Sequence, residues 1–502
     1  MIRSRLLLSL IAGAAAAWGT LAVTEPLGPG LDPDGMSYVH AARSLVHQGE
    51  MRDVRDDWVS ADSTRPYTRW PPAYPAAIAL PVAAGMPAVQ GARAVMAASA
   101  FAALATLVWL VGGAAGTEAG AVLALALLLT PAMAYVHESV LSEPLFLAAL
   151  AATLAMMARP RPAPLRAGAA AAAASMVRYA GLSAIAAAAA WELLRAGTVR
   201  DRVRRAALAA APGALVNLWW WTRAARLGGR TAVRHFSVYG QVGPTLLEGG
   251  RTVSEWLAPA IGSPWNAWAA LALLIALAMT VGRSALRSRA AADDARRLAG
   301  AALVLLACYA GLVAAARLLA DPDIPLDERI LAPAIMLGTV IAAAAGARWW
   351  RGAGGRARAA AAVLGAAWCA GSFAVERADA RYALRTGDDY ADICWAGSPV
   401  TAWVREHGDG HALVSNASVA LFFHAGRLAR EMPDELSAPM ARAFTDTLAA
   451  RRAYVVLYDE SCASTIEQPD SLVAALGLAP VARLRTGTVW EARARAAPRA
   501  PR

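Results

Sequence analysis

The chain has 502 residues, 58% hydrophobic and 17% charged, with a mean hydropathy of +0.40 and a formal net charge of +11. Soluble globular domains carry roughly a quarter charged residues, so an ordinary soluble domain is excluded. The positive charge does not point to nucleic acid either, because the arginines lie between apolar runs, where they act as topology determinants.

Apolar runs of Ala, Leu and Val recur along the chain, each flanked by Arg, which is the signature of membrane-spanning helices. The expected spans, eleven in all, are 6–23, 93–112, 118–136, 143–158, 165–177, 179–194, 205–221, 265–282, 298–318, 329–346 and 359–376. The first has the positive start of a signal peptide but runs on through Val23 and is followed by further spans, so it reads as an uncleaved helix. Residues 74–90 are apolar but hold three prolines. If they do not span and the N-terminus is cytoplasmic, the cytoplasmic loops are 158–166, 195–205, 282–297 and 347–358, all rich in Arg. The short opposite loops, 137–143 and 321–328, are then acidic, in agreement with the positive-inside rule. Residues 74–90 are therefore expected as a short helix along the outer membrane surface.

The same count places residues 377–502 outside the cytoplasm. SPVTAWVREHG (398–408) reads as a helix, HALVSN (411–416) as a buried strand and APMARAFTDTLAA (438–450) as an amphipathic helix. AYVVLYD (453–459) reads as a second buried strand, and VARLR (481–485) with TVWEAR (488–493) as a strand pair. The expected fold is mainly α: a polytopic bundle of about eleven transmembrane helices, 1–376, whose first outer loop is 24–92. A small extracytoplasmic α/β domain, 377–492, follows, and a basic tail, 493–502, ends the chain. Cys308 and Cys369 lie in apolar runs, whereas Cys394 and Cys462 lie in the polar region and can pair in an oxidising exterior. The Asn416-Ala417-Ser418 sequon ends a buried strand and reads as chance.

The polar residues that carry chemistry lie near the outer surface. Asp34 is placed as an N-cap, ahead of a helix with Tyr38, Ala41, Ala42 and Leu45 on one face. Capping alone accounts for such a residue; a carboxylate held at a membrane surface also suits a general base. In RPYTRWPPAYP (65–75), Tyr67, Trp70 and Tyr74 suit the headgroup zone, while Arg65 and Arg69 face anionic headgroups or hold a bound phosphate. His137 and Glu138 offer at most two metal ligands, so no metal site is assigned and a divalent ion stays open as a cofactor. Arg178 and Arg329 stand at outer helix ends, where they either snorkel or bind phosphate through the guanidinium fork. This set fits transfer of a group from a lipid phosphate to a hydroxyl, since a phosphate leaving group needs cationic stabilisation and the hydroxyl needs a base.

Several segments resemble motifs of the membrane-embedded C-type glycosyltransferases (the GT-C superfamily), of the aminoarabinose transferase and protein O-mannosyltransferase type. Asp34 with Tyr38, Ala42-Arg43 and Gly49 is similar to that family's first-loop motif, and WPPAYP (70–75) to its Pro-Pro surface helix. SEPLFLAAL (142–150) resembles its fourth span, while VRYAGL (177–182) and DERILAP (327–333) resemble its later arginine-bearing motifs. The resemblance implies an inverting transferase using a polyprenyl-phosphate-linked sugar and a lipid, glycan or protein acceptor. It implies Asp34 as base, Arg178 and Arg329 on the donor phosphate, and Glu143 lining the same pocket; Arg69 is a further phosphate-binding candidate, and Asp32, Tyr38, Glu138 and Tyr179 are further pocket candidates. Asp34 is followed by Gly35 where many relatives carry Glu, and Trp70 stands where some carry Lys, which leaves metal use and phosphate contact open; Asp32, two residues from Asp34 on the same loop, stays a rival for the base. The alternative is a transporter or flippase of a lipid-linked sugar. Against it, the chain shows no repeated halves, and its spans are close to pure Ala, Leu and Val.

Overall fold

The computed structural model describes the chain except residues 1, 26, 55–63, 229–236, 258–293, 434–437, 460–461, 463–472, 474–475 and 493–502. The longer helices are α1 (Ile2–Val23), α2 (Pro33–Gln48), α3 (Ala73–Ala83), α4 (Ala88–Ala115), α5 (Thr117–Leu128), α6 (Pro131–Glu138), α7 (Glu143–Met157) and α8 (Pro164–Val177). They continue with α9 (Leu182–Leu194), α10 (Val199–Arg226), α11 (Val242–Leu257), α12 (Asp294–Leu319), α13 (Glu328–Gly352), α14 (Gly355–Thr386), α15 (Pro399–His407) and α16 (Ala438–Ala450). The strands are β1 (Arg52–Val54), β2 (Thr64–Pro66), β3 (Leu413–Ser415), β4 (Arg430–Glu431), β5 (Tyr454–Tyr458), β6 (Leu478–Leu484) and β7 (Gly487–Ala492). These elements form two compact units, Met1–Thr24 with Thr68–Tyr382, and Glu25–Tyr67 with Ala383–Arg502.

The first unit is helical, as Ala- and Leu-rich runs dictate: these residues lose little entropy in a helix, and in hydrocarbon a helix satisfies its own backbone. Every expected span is helical except 265–282, which lies outside the described residues, and 118–136 is divided into the two helices α5 and α6. Among the described residues α1, α4, α12, α13 and α14 are long and apolar enough to cross a membrane, and the α5–α6 pair makes a sixth if it is one span bent by 60°. The bend falls where Pro131 cannot continue the hydrogen-bond ladder of α5. The chain is thus a multi-pass membrane protein, but the expected count of about eleven spans is not reached by length and composition. Helices α7, α8 and α9 have 15, 14 and 13 residues. At the helical rise that is about 20 Å, against about 30 Å of hydrocarbon. Residues 74–90 form the short helix α3 and the start of α4 rather than a span. Tyr74 of α3 and Tyr67 are fully buried, so neither is presented to headgroups as expected; their rings fill protein interior instead.

In the second unit, α2 packs on the antiparallel ribbon β1–β2, which pairs Asp53 with Arg65. The C-terminal residues form a five-stranded sheet of order β4-β3-β5-β7-β6, with β3 parallel to β4 and β5, and β7 antiparallel to β5 and β6. Alternate residues of β5 point to opposite faces: Val456 and Tyr458 join a core with Val400 and Val404 of α15, and Val455 and Leu457 join one with Phe444 and Leu448 of α16. Burial on both faces explains the continuous apolar run of this strand. Cys394 and Cys462 are joined by a disulfide. Residues 25–67 of the first loop group with 383–502.

Candidate functional site

Helix α7 opens with Glu143-Pro144, and the Glu143 carboxylate sits between two arginines distant in sequence. Its Oε2 lies 2.6 Å from Arg178 Nη1, and its Oε1 lies 3.0 Å from Arg329 Nε. The carboxylate is enclosed, with 2% of its side chain exposed, whereas the two guanidinium side chains keep 19% and 22%. Arg178 Nη1 also donates to Ser142 Oγ at 2.9 Å.

Local backbone chemistry places both arginines. Arg178 breaks the helix between α8 and α9 in an extended conformation, φ −144 and ψ 144. A tight turn, Tyr179–Gly181, then leads into α9. Gly181 makes this turn feasible, since a Cβ there would stand 2.3 Å from the carbonyl carbon of Ala174. Arg329 lies in the first turn of α13, which Asp327 caps by accepting from the Ile330 amide at 3.0 Å. Burial holds the Asp327 carboxyl above its ordinary range, partly offset by that amide and by Arg329. Tyr309 of α12 donates to the Ile330 carbonyl and fixes the same turn.

The loop before α13 is strapped from a third direction. Glu248 of α11 accepts from the Leu326 amide at 2.7 Å and from the buried guanidinium of Arg317, while Arg317 Nη1 donates to the Ile324 carbonyl at 2.8 Å. The Arg317 hydrogen bond holds the Glu248 carboxyl below its usual range. Sequence reasoning missed Ser142, Glu248, Tyr309 and Arg317. Ser142 opens the SEPLFLAAL segment but was not singled out, and Glu248, Tyr309 and Arg317 lie in no motif; the one signal was that an arginine near an apolar helix end needs a partner.

Asp34 belongs to the other unit, and there the sequence expectation is corrected. The N-cap of α2 is Asp32, whose Oδ1 accepts from the Gly35 amide at 2.6 Å, and Asp34 stands in the first turn. The reason is Pro33: it lacks an N–H and has a helix-ready φ, so it takes the first helical position and leaves the extended cap to the residue before it. Tyr38, Ala41 and Ala42 are buried as the helical spacing predicts. Ser37 Oγ donates to buried Asp53 at 2.7 Å and ties α2 to β1. His40 is 8% exposed, and its pKa is lowered to about 4 by burial, with help from Arg43 and Arg52.

The other expected residues have contacts of their own. Tyr179 accepts from Trp220 Nε1 of α10 at 3.1 Å. Arg69 is exposed and lies 5.2 Å from the Trp70 ring. His137, bonded to the Met133 carbonyl through Nδ1, and Glu138 line a separate cavity of about 130 Å³ with Thr20 and Glu376, walled by Ala and Leu. Among the described residues no three metal-binding side chains come together.

No protein-family model matches the sequence, and no curated protein matches it. Solved structures do match its fold. The arabinofuranosyltransferase AftD from Mycobacteria superposes with a TM-score of 0.54 at 18% identity, over 97% of this chain and 40% of that one. The Archaeoglobus fulgidus oligosaccharyltransferase gives 0.53 at 12% identity, over 90% of this chain and 68% of that one. ArnT from Cupriavidus metallidurans is matched over 97% of this chain and 96% of its own, with 14% identity and a TM-score of 0.45. The chain thus shares a fold with AftD and with the oligosaccharyltransferase.

Proposed function

We propose that this chain is an integral-membrane, inverting glycosyltransferase that moves a sugar from a polyprenyl-phosphate donor to an acceptor hydroxyl on the extracytoplasmic face. One observation carries the reading: a single buried carboxylate, Glu143, holds Arg178 and Arg329 together at the rim of a helical bundle. Two guanidinium forks side by side have the planar geometry and charge that suit a phosphate. The AftD and oligosaccharyltransferase folds, both of enzymes named for sugar transfer, support the same class. The disulfide Cys394–Cys462 supports an oxidising, extracytoplasmic compartment for the C-terminal domain.

In this reading the acceptor oxygen attacks the anomeric carbon from the side opposite the phosphate. The bond from that carbon to the phosphate oxygen breaks, and polyprenyl phosphate leaves with the electron pair. Its charge grows from one negative to two, and Arg178 and Arg329, with Arg69 on the approach, stabilise the added charge. Asp34 takes the hydroxyl proton as it becomes acidic. Asp34 is the better base than Asp32, because the Asp32 carboxylate is committed to the cap of α2.

The test has two arms. Undecaprenyl phosphate is titrated into purified wild type, Asp34→Asn and Arg178→Ala with Arg329→Ala. In parallel, sugar loss from the polyprenyl-phosphate pool and the glycolipid profile are followed in membranes of a strain lacking the chain, supplemented with each variant. Asp34→Asn is expected to bind the lipid phosphate normally and lose transfer; the double arginine variant is expected to lose binding. Full transfer by Asp34→Asn would falsify the base assignment, and lipid-phosphate binding that ignores both arginines would sink the site itself.

A further inference from the structure

Within the second unit, the helix that carries Asp34 meets the C-terminal residues at a π-helical turn, Leu421–Ala425. Phe422, 5% exposed, presents its ring to the edge of His40 of α2, with centroids 6.4 Å apart and planes at 85°. The guanidinium of Arg43, one turn further along α2, lies 5.9 Å from the same ring. The neighbouring Phe423 faces Gly28, where a φ of +90 strains any side chain and a notional Cβ stands a tight 3.2 Å from the Phe423 ring.

The turn is held firmly from behind. His424 Nε2 donates to the Tyr390 carbonyl at 2.7 Å, and Arg405 Nη2 donates to the His424 carbonyl at 3.0 Å. Gly426, at φ 67, reverses the chain, and the Arg427 amide closes onto the Leu421 carbonyl at 3.2 Å. A π-turn inserts an extra residue, is rare, and occurs frequently at functional sites. Here the insertion turns two consecutive phenylalanines toward residues 28–43.

We propose that Phe422 is a positioning residue for Asp34: by seating His40 and Arg43 it fixes the tilt of α2, and so places the carboxylate at the acceptor hydroxyl. The inference rests on Asp34 being the base. Asp34 precedes His40 by six residues, about 9 Å along the helix axis. A tilt of about 10° around His40 therefore moves Asp34 on the order of 1 Å. A misplacement of that size is worth up to about 100-fold in rate. His40 itself touches no substrate in this account. Its role is to carry the constraint from the C-terminal domain into α2.

The experiment compares Phe422→Ala, Phe422→Leu and Phe422→Tyr in the full-length protein. It reads turnover of the polyprenyl-phosphate pool in membranes, binding of undecaprenyl phosphate, and hydrogen exchange over residues 33–48. Phe422→Ala is expected to lower turnover about 10- to 100-fold, leave lipid-phosphate affinity within about twofold, and speed exchange in α2. Phe422→Tyr keeps the ring and is expected to retain turnover. Phe422→Leu keeps volume without a ring and is expected between the two; it decides the matter if Phe422→Ala does not fold. Wild-type turnover in a folded Phe422→Leu or Phe422→Ala overturns the proposal. So does an equal loss of turnover and lipid-phosphate binding, which marks general damage. Asp34→Asn run alongside separates the two readings: if it is active, the base assignment has failed, and if it is dead while the Phe422 variants are normal, only the positioning role has.

Discussion

Glu143 sits with 2% of its side chain exposed between Arg178 and Arg329, inside a unit built almost wholly of apolar helices. Asp34 sits half-buried in the first turn of α2, in a unit of short strands, a disulfide and aromatic contacts. In the helical unit a charge is held by opposing charges, because in a medium poor in water nothing else offsets its desolvation. In the other unit, near-water chemistry holds α2 through a cap, a ribbon and ring packing, each worth little alone. The contrast teaches where local rigidity comes from in each half: from ion pairs with a buried partner, Glu143 with its two arginines and Glu248 with Arg317, in the first, from many modest contacts in the second.

The comparison breaks hardest at the disulfide. Cys394 and Cys462 are 68 residues apart, and closing a loop of that length contributes about 4 kcal/mol by the chain-entropy estimate. Reduction, or Cys394→Ser with Cys462→Ser, is expected to raise hydrogen exchange across residues 383–492 and leave that of α4 and α7 unchanged. Exchange that rises equally in both units defeats the idea that they draw their stability from separate sources.

Removing the ionic cluster is the mirror experiment. Glu143→Ala leaves two partly buried guanidiniums without their carboxylate, at about 3 kcal/mol. Protection in α7, α9 and the start of α13 is expected to fall, with the C-terminal sheet unaffected. Glu143→Ala with Arg178→Ala is expected to recover part of that loss, and a purely additive double variant contradicts the pairing.

His40 makes the second unit sensitive to acid. Its folded pKa of about 4 is below the unfolded value of 6.5. The folded state therefore disfavours the proton, and nothing is lost above pH 6.5. Between pH 6.5 and about 4 the unfolded state gains protons the folded state refuses, so stability falls with pH, by up to about 3 kcal/mol. The measurement is the difference in unfolding between wild type and His40→Phe across that range. Equal pH slopes for the two proteins rule out His40 as the source.

The smallest effect sharpens the distinction between the two aspartates. Asp32→Ala removes the cap of α2 and is expected to cost about 1 kcal/mol in thermal unfolding, whereas Asp34→Ala is expected to cost little because the cap remains. The reverse order restores Asp34 as the cap.

Much of this architecture was legible from pattern alone. Apolar runs gave helices wherever the chain is described outside residues 265–282, and the strands at 411–416 and 453–459 fall where alternating and continuous apolar runs place them. Arg178 and Arg329 stood out because guanidiniums near apolar runs are costly without a purpose. Their common partner did not stand out, since Glu143 is 35 residues from one and 186 from the other and looks like an ordinary acidic first-turn residue. The cap of α2 was misread because helix periodicity locates a helix only to within a residue or two, and Pro33 shifts the boundary.

The sequence by itself determined what is local: a membrane chain, its helices, its C-terminal strands and the residue types able to handle a phosphate. These follow from transfer free energy and hydrogen-bond satisfaction, which each short segment must meet on its own. Tertiary structure alone decided that one carboxylate serves two arginines, that residues 25–67 group with the C-terminal residues, and that the Phe422 ring meets His40 of α2. Contacts between residues far apart in the chain depend on where whole elements pack, and no window of sequence contains that information.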